Sequence, residues 1–228
     1  MSHGRSAHHW PKPAHSMRLR HGTSEAPLRL AVLASGSGSG MEALVRYQQA
    51  KESLHATVVV VTDKANAGAI ERATTLGCAV EVVPLPEAED RVARRSAHED
   101  LIQAKLGAYD IEAIVLSGWM RLLTAAFVER WKGRLVNIHP SLLPDFPGAH
   151  AHRDVLEAGA TESGCTVHFV DAGMDTGPII AQAAVPVLED DDIARLAARV
   201  KAEEHRLYPR VLDALASGAI SFDAPLLP

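Results

Sequence analysis

Short apolar runs alternate with amphipathic stretches along the first half of the chain. The runs have the length and composition of buried strands and lie at 28–34, 57–62, 79–83 and 111–116. Stretches of helical composition follow the first three runs, at 41–50, 66–76 and 86–106. Because strand and helix alternate at βαβ spacing, this half predicts a mostly parallel sheet with helices on both faces.

The pattern changes in the second half of the chain. A short helix is predicted at 127–131, and runs at 165–170 and 179–187 have a turn but no helix between them, which predicts an antiparallel edge pair. Asp190, Asp191 and Asp192 precede a long helix whose N-terminus they suit, and Pro209 predicts a kink in it. The apolar face predicted for that helix comprises Ile193, Leu196, Val200, Leu207, Val211 and Leu215. The predicted fold class is therefore α/β, a Rossmann-like sheet with an antiparallel edge pair.

Composition and charge exclude several classes of function. The 228 residues are 47% hydrophobic and 22% charged, which is ordinary for a globular protein. A net charge of −5 provides no basic field for nucleic acid or an anionic membrane, and no apolar run reaches the roughly 18 residues of a membrane span. Cys78 and Cys165 are too few for a disulfide framework or a zinc site. We expect a cytoplasmic protein with small-molecule partners.

The N-terminal segment differs from the rest of the chain. It holds five of the twelve histidines and no apolar stretch, so we expect residues 1–27 to be a disordered leader or a tag. A single domain is predicted at 28–223 and a tail at 224–228. The histidines at 3, 8, 9 and 15 could bind a metal adventitiously, but no functional metal site is expected.

An amide and an imidazole stand two positions apart where a predicted strand ends. Arg134-Leu135-Val136 leads into Asn137-Ile138-His139, and the loop Pro140–Pro144 follows. Side chains two residues apart on a strand point to the same face, so Asn137 and His139 can aim at one point. A neutral donor beside a titratable one suits the stabilisation of an oxyanion and the movement of a proton. The alternative is that both side chains only satisfy a buried loop.

A glycine-rich loop joins the first predicted strand to the first helix. Gly36-Ser37-Gly38-Ser39-Gly40 can present backbone N–H groups and a positive helix end to a phosphate. Met41 stands where the dinucleotide fingerprint requires its third glycine, and no Gly-Lys-Ser/Thr sequence is present. A monophosphate therefore fits better than a dinucleotide or ATP, and the alternative is a plain flexible turn.

Asp175 lies between Gly173 and Gly177, on a predicted turn where the backbone can approach a ligand closely. A turn aspartate without a function is the alternative. His168, alone in an apolar strand, is open to the same two interpretations. Trp119 and Met120 suit a flat heterocycle by area and polarisability, or they belong to the core.

Four segments, taken together, resemble the folate-dependent formyltransferases. They are the glycine loop, Gly118–Leu123, Asn137–Pro144 and Asp175–Pro178, in that order. The Pro-Ser-Leu-Leu-Pro ending of the third is closest to the members that act on glycinamide ribonucleotide (GAR). The resemblance runs from about Leu28 to about Phe222. It implies transfer of formyl from the co-substrate 10-formyltetrahydrofolate to the amine of GAR in purine synthesis, with neither a metal nor a nucleotide cofactor.

The resemblance also implies a role for each matched residue. Asn137 and His139 stabilise the oxyanion, while Asp175 orients His139 and a water that relays a proton. Glu204 contacts the ribose. The phosphate is held by Gly38, Ser39 and Gly40. The folate site comprises Trp119, Met120, Arg121, Leu122 and Leu123. His168 and His150 match positions that support the site. Arg94 or Arg95 adds positive charge near the phosphate. Gly40 departs from the family, where Asn is frequent at this position, so one side-chain donor to the phosphate is expected to be lost.

Three other functions are compatible with parts of the pattern. Methionyl-tRNA formyltransferases share the chemistry but have a basic surface and an added RNA-binding domain, whereas this chain is acidic and ends at Pro228. Formyltetrahydrofolate deformylases use water as the acceptor and have a regulatory domain longer than the leader predicted here. The third is a non-catalytic nucleotide- or folate-binding protein. The oligomeric state stays open between monomer and homodimer.

Overall fold

The computed structural model of the chain describes residues 19–88 and 90–226. Within these ranges it has seven strands and six helices. The strands are β1 Leu28–Leu33, β2 His55–Thr62, β3 Ala79–Val82, β4 Ala113–Leu116, β5 Leu135–His139, β6 Glu162–Phe169 and β7 Ile179–Pro186. The helices are α1 Ser39–Gln49, α2 Gly68–Thr75, α3 Arg91–Ala108, α4 Ala125–Arg130, α5 Ala151–Glu157 and α6 Ile193–Ser217.

All seven strands belong to one sheet, in the order β3-β2-β1-β4-β5-β6-β7. β1 to β5 pair in parallel, and β6 and β7 are antiparallel to their neighbours, which confirms the predicted fold class. The starts of α1, α2, α3 and α4 all differ from the prediction, and α5 was not predicted. α1 begins at Ser39, and α3 begins at Arg91 because the Asp90 carboxylate accepts hydrogen bonds from the N–H groups of Val92 and Ala93.

The core lies on both faces of the sheet. Alternate residues of β1 enter opposite clusters, with Leu30 and Val32 on the face that α1 and α6 cover. Ala31 and Leu33 enter the cluster to which α3 and α4 contribute. This two-sided burial explains why the parallel strands are continuous apolar runs rather than alternating ones.

Helix α6 braces the sheet close to the site described below. It runs through Pro209 without interruption, and its N-cap is Asp192, as predicted. The buried hydroxyl of Tyr208 lies 3.0 Å from the carbonyl oxygens of Leu116, the last residue of β4, and Val136 of β5. The predicted apolar face is buried except for Ile193, which is 51% exposed because this first helical residue borders an open groove beside α5.

The predicted leader needs a correction at its C-terminal end. Residues 1–18, including the predicted histidine cluster, lie outside the described residues. Residues 19–27, however, pack against the domain. The Arg20 guanidinium pairs with Glu112, and the Gly22 N–H donates to the carbonyl of Ala216 at 2.8 Å. The packed part of the chain therefore includes residues before position 28, because these polar contacts hold the segment against the domain.

The strand order reverses between β1 and β4, and this reversal places the site. The connection after β1 turns to one side of the sheet and the connection after β4 to the other, which opens a crevice at their carboxyl ends. The glycine loop follows β1, and the Gly118–Leu123 segment follows β4. Among the described helices, none combines the length and the apolar character that a membrane crossing requires.

Candidate active site

A cavity of about 650 Å³ opens at the carboxyl ends of β1, β4 and β5. Its wall includes Asn137, His139 and Asp175, which the sequence had placed together. It also includes the whole glycine loop from Gly36 to Gly40 and the segment from Gly118 to Leu123. The volume is in the range of small-molecule sites. Among the described residues, no group of three His, Cys, Asp or Glu side chains is arranged to hold a metal ion.

The orientation of the Asn137 amide is fixed from the neighbouring strand. Asn137 in β5 is the register partner of His168 in β6, and its Nδ2 lies 3.1 Å from His168 Nε2. His168 Nδ1 lies 2.9 Å from the carbonyl oxygen of Phe169, so Nδ1 carries the proton and Nε2 accepts from the amide. Burial lowers the pKa of His168 and favours this neutral ring. One hydrogen of the Asn137 amide is thus engaged, and the other is available to a ligand.

His139 is held at both ring nitrogens. Its Nε2 lies 2.9 Å from the carbonyl oxygen of Phe146, which can only accept, so Nε2 is protonated even in the neutral ring. Its Nδ1 lies 3.4 Å from Asp175 Oδ2, slightly longer than a normal hydrogen bond. Nδ1 is therefore the ring nitrogen that faces a carboxylate.

Both residues that contact the His139 ring have a strained backbone conformation. Phe146 and Asp175 are non-glycine residues in the left-handed region, with φ of 53° and 57°. The Gly148 N–H donates to Asp175 Oδ2 at 2.9 Å and fixes the carboxylate. A Cβ added to Gly177 would lie 1.8 Å from the carbonyl oxygen of Phe169, so this turn requires glycine there. Strain of this kind persists where surrounding contacts impose it, frequently at functional sites.

The N-terminus of α1 faces the same cavity with free donors. Its N-cap is Gly38, with φ of 76° and no side-chain cap. A Cβ at Gly38 would lie 2.6 Å from Ala69 Cα, so the close approach of α2 excludes a side chain there. Within the described ranges, the N–H groups of Ser39, Gly40 and Met41 have no acceptor. Such a helix end attracts an anion.

Glu204 of α6 lies in the cavity wall, half-buried and without a hydrogen-bond partner in the described part of the chain. Burial raises its pKa, and Lys201 opposes this effect. Lys201 and His152 are two wall residues that sequence reasoning did not assign. Lys201 stands one helical turn before Glu204, a spacing that could have revealed it.

The sequence indicated His150 as a supporting residue, but the structure places His152 in the cavity wall instead. The structure places His150 in the N-cap position of α5, exposed and outside the cavity wall. Burial lowers the pKa of His152 most, and the charges of His139 and Lys201 lower it further. The two histidines are two residues apart in the sequence, and only the path of the loop into α5 decides which of them faces inward.

The segment after β4 is anchored to the sheet. Trp119 stacks on His98, with ring centroids 6.0 Å apart and planes inclined by 6°. Arg121 Nε lies 2.6 Å from the buried carboxylate of Asp63, so its charge is already neutralised. Met120 is 67% exposed and its N–H donates to Ser35 Oγ at 3.1 Å. Trp119 and Met120 are thus not simply core residues.

Of the two arginines considered for this region, only Arg95 lines the main cavity. Arg94 lines a smaller neighbouring cavity beside Trp119, and its Nε donates to the carbonyl of Pro86 at 2.7 Å. The amphipathic pattern of α3 placed both on one charged stretch and could not distinguish them.

Comparison with known proteins gives consistent matches. The family described as formyl transferase matches residues 28–212. The phosphoribosylglycinamide formyltransferase of Escherichia coli (strain K12) is 39% identical over 193 residues, which cover 85% of this chain and 89% of that one. The crystal structure of glycinamide ribonucleotide transformylase 1 from Symbiobacterium toebii has a TM-score of 0.81 at 40% identity and covers 88% of this chain and 92% of that chain.

The chain also matches one part of much longer proteins. The trifunctional purine biosynthetic protein adenosine-3 of Drosophila melanogaster is 45% identical over 197 residues, which cover 86% of this chain. Those residues are 14% of the Drosophila protein, so the chain spans about a seventh of that relative.

Proposed function

The chain belongs to the formyl transferase family, and we propose that it transfers the formyl group of 10-formyltetrahydrofolate to the amino group of GAR in de novo purine synthesis. One observation supports this most. Asn137, His139 and Asp175 face a single cavity that also contains the free N–H groups of α1. The names of the relatives point to the same reaction.

The cavity offers a place for each part of the two substrates. The N–H groups at the start of α1 and the Ser39 side chain receive the phosphate of GAR. Glu204, when ionised, accepts a hydrogen bond from a ribose hydroxyl. The pteridine of the folate lies along the segment from Trp119 to Leu123. Asn137 lines the same cavity, and the amine and the formyl group meet beside its amide.

The reaction proceeds by direct attack. The GAR nitrogen forms a bond to the formyl carbon, and the carbonyl electron pair moves onto oxygen to give a tetrahedral oxyanion. The attacking amine loses one proton. Collapse then breaks the bond between the formyl carbon and N10 of the folate, and N10 takes up one proton. Protons balance, and the products are formyl-GAR and tetrahydrofolate.

The residues stabilise this path through preorganised donors. The Asn137 amide hydrogen that His168 leaves free, and the protonated Nδ1 of His139, donate to the oxyanion. Asp175 orients His139 and holds the water that moves the proton from the amine to N10. Arg121 is paired with Asp63, so its part in the folate site is through its backbone and stem. Neither cysteine lines the cavity, and no acyl-enzyme is required.

The domain bounds, the partners and the location are proposals as well. We infer one formyltransferase domain up to residue 223, extended at its start by the packed residues 19–27. The partners are the two small molecules named above. A cytoplasmic location, the absence of nucleic-acid and membrane partners, and a monomeric or dimeric state stay predictions.

The test is a steady-state absorbance assay with purified protein and 10-formyltetrahydrofolate, with and without GAR. Tetrahydrofolate formed only with GAR supports the transferase. The same rate without GAR would identify a deformylase. No turnover in either case, with a cooperative melting transition as evidence of an intact fold, would leave a non-catalytic binding protein and contradict the proposal.

A further inference from the structure

Ser117 fills the space that a side chain at position 40 would occupy. An ideal Cβ built on Gly40 would lie 2.5 Å from Ser117 Oγ, so the hydroxyl would have to rotate away from its present position. The same Cβ would lie 3.9 Å from Ser117 Cβ, an ordinary van der Waals distance. The conflict is therefore with the hydroxyl alone. Gly40 is helical and not in the left-handed region, so its backbone does not require glycine.

The hydroxyl of Ser117 is free for a ligand. Ser117 follows β4 directly, lines the cavity beside Ser39 and Gly40, and is only partly buried. Its backbone N–H donates to the carbonyl of Leu33 at 3.0 Å, which fixes the residue against β1. Its Oγ makes no hydrogen bond to any residue in the ranges 19–88 and 90–226. A hydroxyl donor on an anchored backbone thus stands at the first turn of α1, where the N–H groups are also unpaired.

We propose that the Ser117 hydroxyl is a phosphate-binding donor that replaces the side chain missing at Gly40. The inference rests on the proposed function, because it concerns the phosphate of the same substrate. It changes the expectation from the sequence, in which the glycine at position 40 costs the site a side-chain donor. The donor is instead supplied by the residue that follows β4, and a side chain at position 40 and this hydroxyl in its present position exclude one another.

This exclusion makes a double-mutant cycle decisive. The variants are Ser117→Ala, Gly40→Ser and the two combined, with Ser163→Ala as a matched control. Ser163 Oγ is also without a hydrogen-bond partner, but it is buried in β6 and does not line the cavity. The measurements are the KM for GAR, the KM for 10-formyltetrahydrofolate, kcat, and competitive inhibition by inorganic phosphate.

We expect Ser117→Ala to raise the KM for GAR and the inhibition constant of phosphate about 10-fold, the loss of one hydrogen bond to a charged group. The folate KM and kcat should change little. Gly40→Ser alone should weaken GAR binding because its Cβ meets the Ser117 hydroxyl. The combined variant has room for the new side chain and should recover most of the loss. Ser163→Ala should resemble the parent.

Unchanged phosphate inhibition in Ser117→Ala would overturn the proposal. So would equal effects of Gly40→Ser in the presence and absence of the Ser117 hydroxyl, because no exclusion would then exist. Calorimetric titration of the same folded variants with inorganic phosphate makes the test independent of turnover. If the parent shows no GAR-dependent turnover, the proposed function fails, while the titration still shows whether Ser117 binds phosphate.

Discussion

Asn137 and His168 are direct register partners on the antiparallel strands β5 and β6, and the Asn137 amide nitrogen lies 3.1 Å from the His168 ring. The orientation of the amide therefore depends on the strand that follows a loop and α5. A one-residue shift of β6 would turn His168 to the other face of the sheet. The antiparallel edge pair thus determines the direction of the Asn137 amide as well as covering the sheet.

Removing the Asn137 amide should abolish most of the catalysis. We expect Asn137→Ala to lower kcat about 10²–10³-fold, the typical effect of losing one oxyanion donor. The KM for GAR should change little, because the amide acts mainly on charge that develops in the transition state. Steady-state kinetics with both substrates measures this. A loss that appears only in KM would assign Asn137 to binding instead.

His168 should act by positioning Asn137. His168→Phe keeps an aromatic ring in the core and removes the acceptor, and we expect kcat to fall about 10-fold or more. The NMR signals of the Asn137 side-chain amide should shift or broaden in this variant. His55 is equally buried but does not line the cavity, so His55→Phe is the matched control and should retain activity per folded molecule. An unchanged amide signal together with full activity in His168→Phe would refute this role.

Two substitutions at Asp175 should separate its charge from its backbone. Asn tolerates the left-handed conformation and can accept from the Gly148 N–H, so Asp175→Asn should keep the melting temperature but lose about 10²-fold in kcat. Asp175→Ala should be inactive and also less stable by about 1 kcal/mol, because it lacks the short polar side chain that lets Asp and Asn adopt a φ of 57° and it leaves the Gly148 N–H without its acceptor. Thermal melts beside kinetics test this. Equal stability of the two variants would show that the polar side chain does not stabilise the turn.

Glu204→Gln should weaken the binding of GAR and stabilise the fold. Burial raises the pKa of Glu204 above the ordinary 4.5, so the ionised group destabilises the fold at neutral pH. The gain in stability should be complete above the folded-state pKa and vanish as the pH falls below 4.5, where both states are protonated. The KM for GAR should rise about 10-fold, for one charged hydrogen bond lost. Melting curves from pH 4 to 8 that show no such dependence would contradict the burial argument.

The two cysteines should be inert and dispensable. Burial, with a smaller effect of Glu204, raises the pKa of Cys165 to about 12, and burial also raises the pKa of Cys78. Because the thiolate is the reactive form, iodoacetamide at pH 8 should label both slowly in the native protein and rapidly in denaturant. Mass spectrometry follows the labelling. Cys165→Ala should retain kcat/KM, and loss of activity in this folded variant would reopen the case for a covalent intermediate.

The sequence by itself determined the seven strands and five of the six described helices, but not the short helix α5. Apolar runs, helical periodicity and the Asp192 cap are local signals, so they predicted the parallel sheet and its antiparallel edge. The spacing of Asn137 and His139 was sufficient to place both on one face of β5, because side-chain direction on a strand depends only on residue parity. The glycine loop was equally local, since its position after a strand already indicates a helix N-terminus.

The tertiary structure decided every relationship that depends on residues distant in sequence. His168 as the partner of Asn137, the entry of His152 rather than His150 into the cavity, and the conflict between Ser117 and a side chain at Gly40 are examples. None has a periodic signal, because cross-strand register and loop paths are fixed by packing over the whole sheet. The sequence thus identified the candidate catalytic residues, and the long-range contacts determined which of their atoms face the cavity.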